Sequence, residues 1–286
     1  MKNSKNILSS LALIVSIVFF VSCEMFKIDN YDEPSETLRG VVKDVLTGDP
    51  VLTDQTDEGI RIRLQELSWT DTETPETFGI RATKDGTYQN TKLFAGHYNV
   101  RIDGPFIPLT RNAPNNVLIV NGSKDIDIKG GVTVLDWEVQ PFLRIEWVGE
   151  PTVSNRHITA SFRVTRAVSV DDFREKMQPV ANYNANWTEI MDIRLFVGQN
   201  HHVGLSQNVA AWSVTANPPA DNALNNPNMN YNGSDFEPLL GEVITVTTPQ
   251  VAVGRTVFIR AAARIRCPTD GVQRYNYNAA LRVDVP

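Results

Sequence analysis

From Thr37 onward, short runs carry apolar side chains at every second position, and Gly, Pro, Asn or Asp breaks each run before it grows long. A period of two sends alternate side chains to opposite faces of a strand, so this chain is patterned for sheets with an apolar face and not for packed helices. "GIRIRL" sets Ile60, Ile62 and Leu64 against Arg61 and Arg63, and "HITASFRVT" sets Ile158, Ala160, Phe162 and Val164 against Thr159, Ser161, Arg163 and Thr165. "MDIRLFV", "TVFIRAAARI" and "YNYNAALRVDV" repeat the rhythm, and no amphipathic helix of three turns interrupts it. The expectation is an all-β chain of sandwiches whose strands each have one buried and one wet face.

At 286 residues the chain exceeds the roughly 250 at which single cores stop growing, which suggests two domains. Pro141 separates the alternating run of Leu135, Trp137 and Val139 from that of Leu143, Ile145 and Trp147, and proline cannot donate to a central ladder. The boundary is therefore set there, with one sandwich over 37–139 and a second, immunoglobulin- or fibronectin-like, over 140–286.

The N-terminus carries a different pattern. Lys2 and Lys5 precede an apolar run from Ile7 to Val21, and small Ser22 stands before Cys23. This is the pattern of a secretory signal peptide over 1–22, too short for a spanning helix of about 20 residues. "VSC" resembles the bacterial lipobox, in which the cysteine becomes the lipidated first residue, although Phe20 replaces the usual leucine; Cys23 is the expected lipidation site. Residues 23–36, with Glu24, Asp29, Asp32, Glu33 and Pro34, read as an acidic tether. Its acids resemble surface-export signals of Bacteroidetes lipoproteins, which implies an outer-membrane anchor facing outward. With Cys23 acylated, Cys267 has no partner, and stability rests on buried apolar area rather than a disulfide.

"GVVKDVLTGDP", "DGTY" and "LFAGHYNV" place Gly40, Asp44, Thr47, Gly48, Pro50, Asp85, Gly86, Tyr88, Leu93, Gly96 and Tyr98 on the pattern G-x-V-x-D-x-x-T-G-x-P, D-G-x-Y, L-x-x-G-x-Y-x-V. This resembles the carboxypeptidase-regulatory-like, transthyretin-type sandwich, a module without a catalytic centre. With leader, tether and second sandwich, the whole chain resembles a Bacteroidetes family of two-domain lipoproteins encoded near starch-utilisation-type uptake systems. The resemblance implies a surface role in capturing or presenting polysaccharide or oligosaccharide beside an outer-membrane transporter complex; it supplies no binding residues.

Catalytic signatures are missing from the sequence. The acids fall in turns (Asp44, Asp49, Asp85) or on wet strand positions (Glu138, Glu146), not in a recognisable acid–base pair. His97, His157, His201 and His202 lack metal-ligand spacing, and His201 and His202 would face opposite ways on a strand. No nucleophile elbow, dinucleotide fingerprint or P-loop occurs, so no enzyme, cofactor or metal is expected. A net charge of −6 removes the electrostatic footprint needed for nucleic acid. Cys267 before Pro268 reads as a packed thiol.

Recognition is the chemistry left. Sugars are held by aromatic faces and by Asn, Asp or Arg on loops fixed to a rigid scaffold. Trp137, Trp147, Trp187, Tyr275 and Tyr277 share phase with apolar neighbours and are assigned to cores. The aperiodic stretch 216–241, with seven asparagines and four prolines, exceeds the roughly 15 residues of an ordinary loop. Trp212 beside it, with Asn225, Asn226, Asn228, Asn230 and Tyr231 within it, forms the first candidate ligand site, and Trp69 beside "TDTETPET" the second. A protein-binding scaffold using sheet edges is the rival reading.

Overall fold

A computed structural model describes residues 33–68, 77–216 and 233–286. Nineteen strands appear in these segments: β1 Glu36–Asp44, β2 Arg61–Glu66, β3 Thr77–Arg81, β4 Thr87–Leu93, β5 Gly96–Asp103, β6 Arg111–Asn112, β7 Leu118–Val120, β8 Lys124–Ile128, β9 Val132–Val134 and β10 Trp137–Val139 in the N-terminal half. The C-terminal half adds β11 Leu143–Trp147, β12 Thr152–Ser154, β13 His157–Arg166, β14 Ile190–Gly198, β15 Val214–Thr215, β16 Val243–Thr247, β17 Arg255–Ile265, β18 Asn276–Tyr277 and β19 Leu281–Val285. The one α-helix among the described residues, α1 (Val170–Met177), is capped by Ser169, whose Oγ accepts from the Asp172 amide at 3.0 Å. The fold is an all-β, multi-sheet sandwich, as the alternation requires. Among the described residues no helix is long and apolar enough to cross a membrane.

In the N-terminal half β1 pairs antiparallel with β4 and parallel with β9 and β10, while the facing sheet runs β3-β2-β5-β8. Leu38, Val42, Ile62, Leu64, Val100 and Trp137 are completely buried between them. Each aliphatic side chain so buried contributes about 1.5–3 kcal/mol. The motif residues explain themselves here. Gly40 pairs with Tyr88 across β1 and β4, and a Cβ on Gly40 would stand 1.9 Å from the Leu135 carbonyl oxygen. The missing side chain lets the Tyr88 hydroxyl donate to that carbonyl while it accepts from Trp137 Nε1 at 3.2 Å. Asp85 accepts from the Thr87 amide at 3.1 Å, and Gly86 takes φ +79° to close the turn.

The C-terminal half packs the sheet of β11, β13, β12 and β16 against that of β15, β14, β17, β18 and β19. Apart from Ile107, its apolar cluster starts at Phe142, whereas the N-terminal cluster ends at Val139. Ser35–Pro286 nevertheless forms one contact unit.

The reason lies on β17. Val257, Ile259, Ala261, Ala263 and Ile265 enter the sandwich core, as the period predicts. The opposite face, expected to be wet, is covered: Phe196, Ala262, Tyr275 and Tyr277 form a third cluster with Leu52, Leu205 and Phe258. Arg260, 2% exposed, donates to the carbonyls of Asn278 (2.8 Å), Thr53 (2.9 Å) and Lys84 (3.2 Å), and its guanidinium lies 4.3 Å from the Tyr277 ring centre. Arg274 donates to the Gly59 carbonyl at 2.9 Å, and Asn276 bridges the Leu143 amide and the Pro105 carbonyl. Carbonyls of residues 53–59 thus satisfy arginines that would otherwise be unpaired in the interior. Arg144 adds a two-pronged ion pair to Asp44, at 2.7 and 3.0 Å.

Candidate functional site

A groove of about 550 Å³ opens where the two halves meet. One wall is β5 with the excursion through β6; the other is the end of α1, the 181–187 segment and the 268–271 turn. The walls are tied across the groove. The Ala181 amide donates to the Asn112 carbonyl at 2.9 Å, and Arg111 Nη1 donates to the Lys176 carbonyl at 3.0 Å.

Trp187 lines the groove half-buried, with Tyr183 edge-on at 5.7 Å between ring centres. Asn112, Asn116 and Asn182 offer exposed amides along the walls. Arg63 is held by Asp103, Nε to Oδ2 at 2.7 Å, and by Asp270. Arg101 is exposed on β5, and burial pulls the pKa of Arg111 down. Asn116, Asn182 and Asp270 all adopt positive φ, between 51° and 60°, a left-handed conformation that Asn and Asp tolerate best. Three loops therefore hold costly backbone conformations where they meet the groove, as binding loops often do.

Extending the "MDIRLFV" phase places Trp187 in a core. The strand begins only at Ile190, and Ala185–Thr188 is a single 3-10 turn, so the two-residue period does not reach the indole. It touches the core with one side and the groove with the other. Arg63, expected on a wet face, is half-buried in ion pairs. The available signal was "ANYNANW", residues 181–187, which concentrates three asparagines and two aromatics as the longer loop does.

Trp212 is half-buried against the C-terminal core, in a turn whose Trp212 amide donates to the Val209 carbonyl at 2.9 Å, and it does not line the groove. Asn225, Asn226, Asn228, Asn230 and Tyr231, Trp69, and Cys23 lie outside the described residues. Trp137 is fully buried, and Tyr275 and Tyr277 are buried in the cluster between the halves. Cys267 is buried, and that burial pushes its thiol up to about 12. His201 and His202 sit in a turn, not a strand, and their rings stack at 3.9 Å instead of facing apart. Among the described residues no three His, Cys, Asp or Glu side chains are grouped to hold a metal ion.

No family model matches the chain, and no curated protein matches it. A solved structure from Bacteroides uniformis, a DUF3823 family protein, is 45% identical with a TM-score of 0.79, spanning 88% of this chain and all of that one. The chain belongs to the DUF3823 family. A DUF3823 protein of Parabacteroides merdae shares the fold at 15% identity and a TM-score of 0.55, over 88% of this chain and all of its own. A candidate carbohydrate binding protein of Bacteroides uniformis matches over the same spans at 20% identity and a TM-score of 0.58.

Proposed function

We propose that this DUF3823 protein is a non-catalytic, lipid-anchored component of the outer-membrane surface that captures or presents glycan for a polysaccharide uptake complex. The observation that carries the reading is the inter-sandwich groove, in which the Trp187 indole stands among Asn and Arg side chains on loops fixed to a rigid scaffold. An aromatic face packs against the C–H surface of a pyranose, and amides and guanidinium groups bond its hydroxyls. The fold shared with a candidate carbohydrate binding protein is in keeping with it. Calorimetry of the purified protein against a broad polysaccharide panel is the test. Heat from at least one polymer, lost in Trp187→Ala, is the expected result; silence across the panel sinks the reading.

A protein-binding scaffold is the second reading, supported by Val117, Leu118 and Ile119 beside and on β7, each more than 40% exposed, and by Val132 and Val134 on β9, at 59% and 60%. Co-purification of a transporter from solubilised membranes, independent of glycan and lost in Leu118→Asp, would favour it.

A further inference from the structure

The charges lining the groove do not balance. Arg63 is paired with Asp103 and shares Asp270 with Arg61. The Arg101 side chain has no hydrogen bond or ion pair among the described residues, and the protein acceptor of the Arg111 side chain is the neutral Lys176 carbonyl. The Arg111 Nε is buried with no acceptor. Two guanidinium groups without carboxylate partners thus face one groove in a chain whose net charge is −6, so the local excess runs against composition.

A neutral sugar entering this groove would return hydroxyl hydrogen bonds to both cations but no counter-charge. An anionic group returns a charge-assisted pair of hydrogen bonds to the planar guanidinium fork, the geometry that arginine matches best. Trp187, lining the same groove, supplies an aromatic face for the sugar ring. We propose that the groove selects saccharides bearing anionic groups, uronate carboxylates or sulfate esters, with Arg101 and Arg111 as the specificity-determining residues. This rests on the glycan-binding reading of the same groove.

The experiment is calorimetry of the detergent-solubilised full-length protein against polygalacturonate, chondroitin sulfate, desulfated chondroitin and carboxyl-reduced polygalacturonate, each at low and raised salt. The acidic polymers are expected to bind and the reduced polymer to bind at least tenfold more weakly, about 1.4 kcal/mol. Arg101→Gln, at an exposed position, should weaken acidic binding about tenfold and flatten its salt dependence. Equal binding of the reduced polymer, lost in Trp187→Ala, overturns the anionic selectivity and leaves the glycan reading standing. Acidic binding unchanged by Arg101→Gln and by Arg111→Gln overturns it too, since attraction would then be non-specific. Binding of no polymer removes both. If chondroitin sulfate binds and desulfated chondroitin does not, sulfate is the recognised anion; if both bind equally, with polygalacturonate, the carboxylate is.

Discussion

Arg260 on β17 donates to the main-chain carbonyl of Thr53 at 2.9 Å, across more than 200 residues of sequence, with both residues buried. That bond joins the outer face of the second sandwich to the loop between β1 and β2 of the first. Arg260→Met fills the volume but leaves the Thr53, Lys84 and Asn278 carbonyls without their donor. Stability is expected to fall by about 1–3 kcal/mol, the range for leaving buried acceptors unsatisfied. Urea denaturation followed by tryptophan fluorescence measures it, and Arg260→Lys should recover only part because one ammonium cannot span the same acceptors.

Tyr88→Phe removes one oxygen. The Leu135 carbonyl loses its donor and Trp137 Nε1 loses its acceptor, both in the core of the first sandwich. The expected cost is about 1–3 kcal/mol, since buried groups are left unsatisfied with little change in shape. Thermal unfolding by circular dichroism reads it directly. A change near zero would mean that water replaces the hydroxyl.

Asp44 sets an acid limit on the contact between the halves. Burial raises its pKa, but the Arg144 guanidinium and the Leu46 amide outweigh burial, and the folded value lies below the ordinary 3.8. A depressed carboxylate contributes stability at pH values above its unfolded pKa, and the contribution disappears as pH falls through the lower folded value. Urea midpoints should therefore hold down to about pH 4 and then fall steeply. Asp44→Asn should flatten that acid limb and lower the plateau, leaving Arg144 without its counter-charge.

Cys267 should behave as an inert thiol. It is buried, and burial raises its pKa to about 12, so little thiolate exists at neutral pH. A thiol-reactive chromophore is expected to label it slowly in the native protein and rapidly in concentrated urea. Fast native labelling would show that this strand end opens.

The proposed anchor has its own test. Cells fed labelled palmitate should incorporate it into the wild-type protein, and Cys23→Ala should abolish the label and release the protein from the outer-membrane fraction. Protease added to intact cells should degrade the wild-type protein if the anchor faces outward.

Much of the architecture was legible in the sequence because a two-residue period reports faces directly: Ile62 and Leu64 on β2, and Ile158 and Phe162 on β13, are buried as their phase requires. The motif glycines and aspartates were legible because turns impose backbone conformations that few residues accept. What the period could not report is whether a sheet's second face meets water or another part of the chain. Arg260 looks like a wet-face residue on β17 until residues 53–59 are laid over that sheet. The groove was hidden for a related reason: Arg63, Arg111, Trp187 and Asp270 come from separate segments, and only the docking of the halves brings them together. Trp187 was further masked by the 3-10 turn that breaks phase before Ile190.

The grip of Arg260 and Asn276 on carbonyls of the opposite half makes the spacing between the sandwiches a constant. A groove with one wall on each half then works as a fixed caliper, not a jaw. On the proposed glycan-binding reading, it would admit a saccharide of set thickness without closing. Mutants that loosen the grip would widen the range of chains accepted while weakening each one.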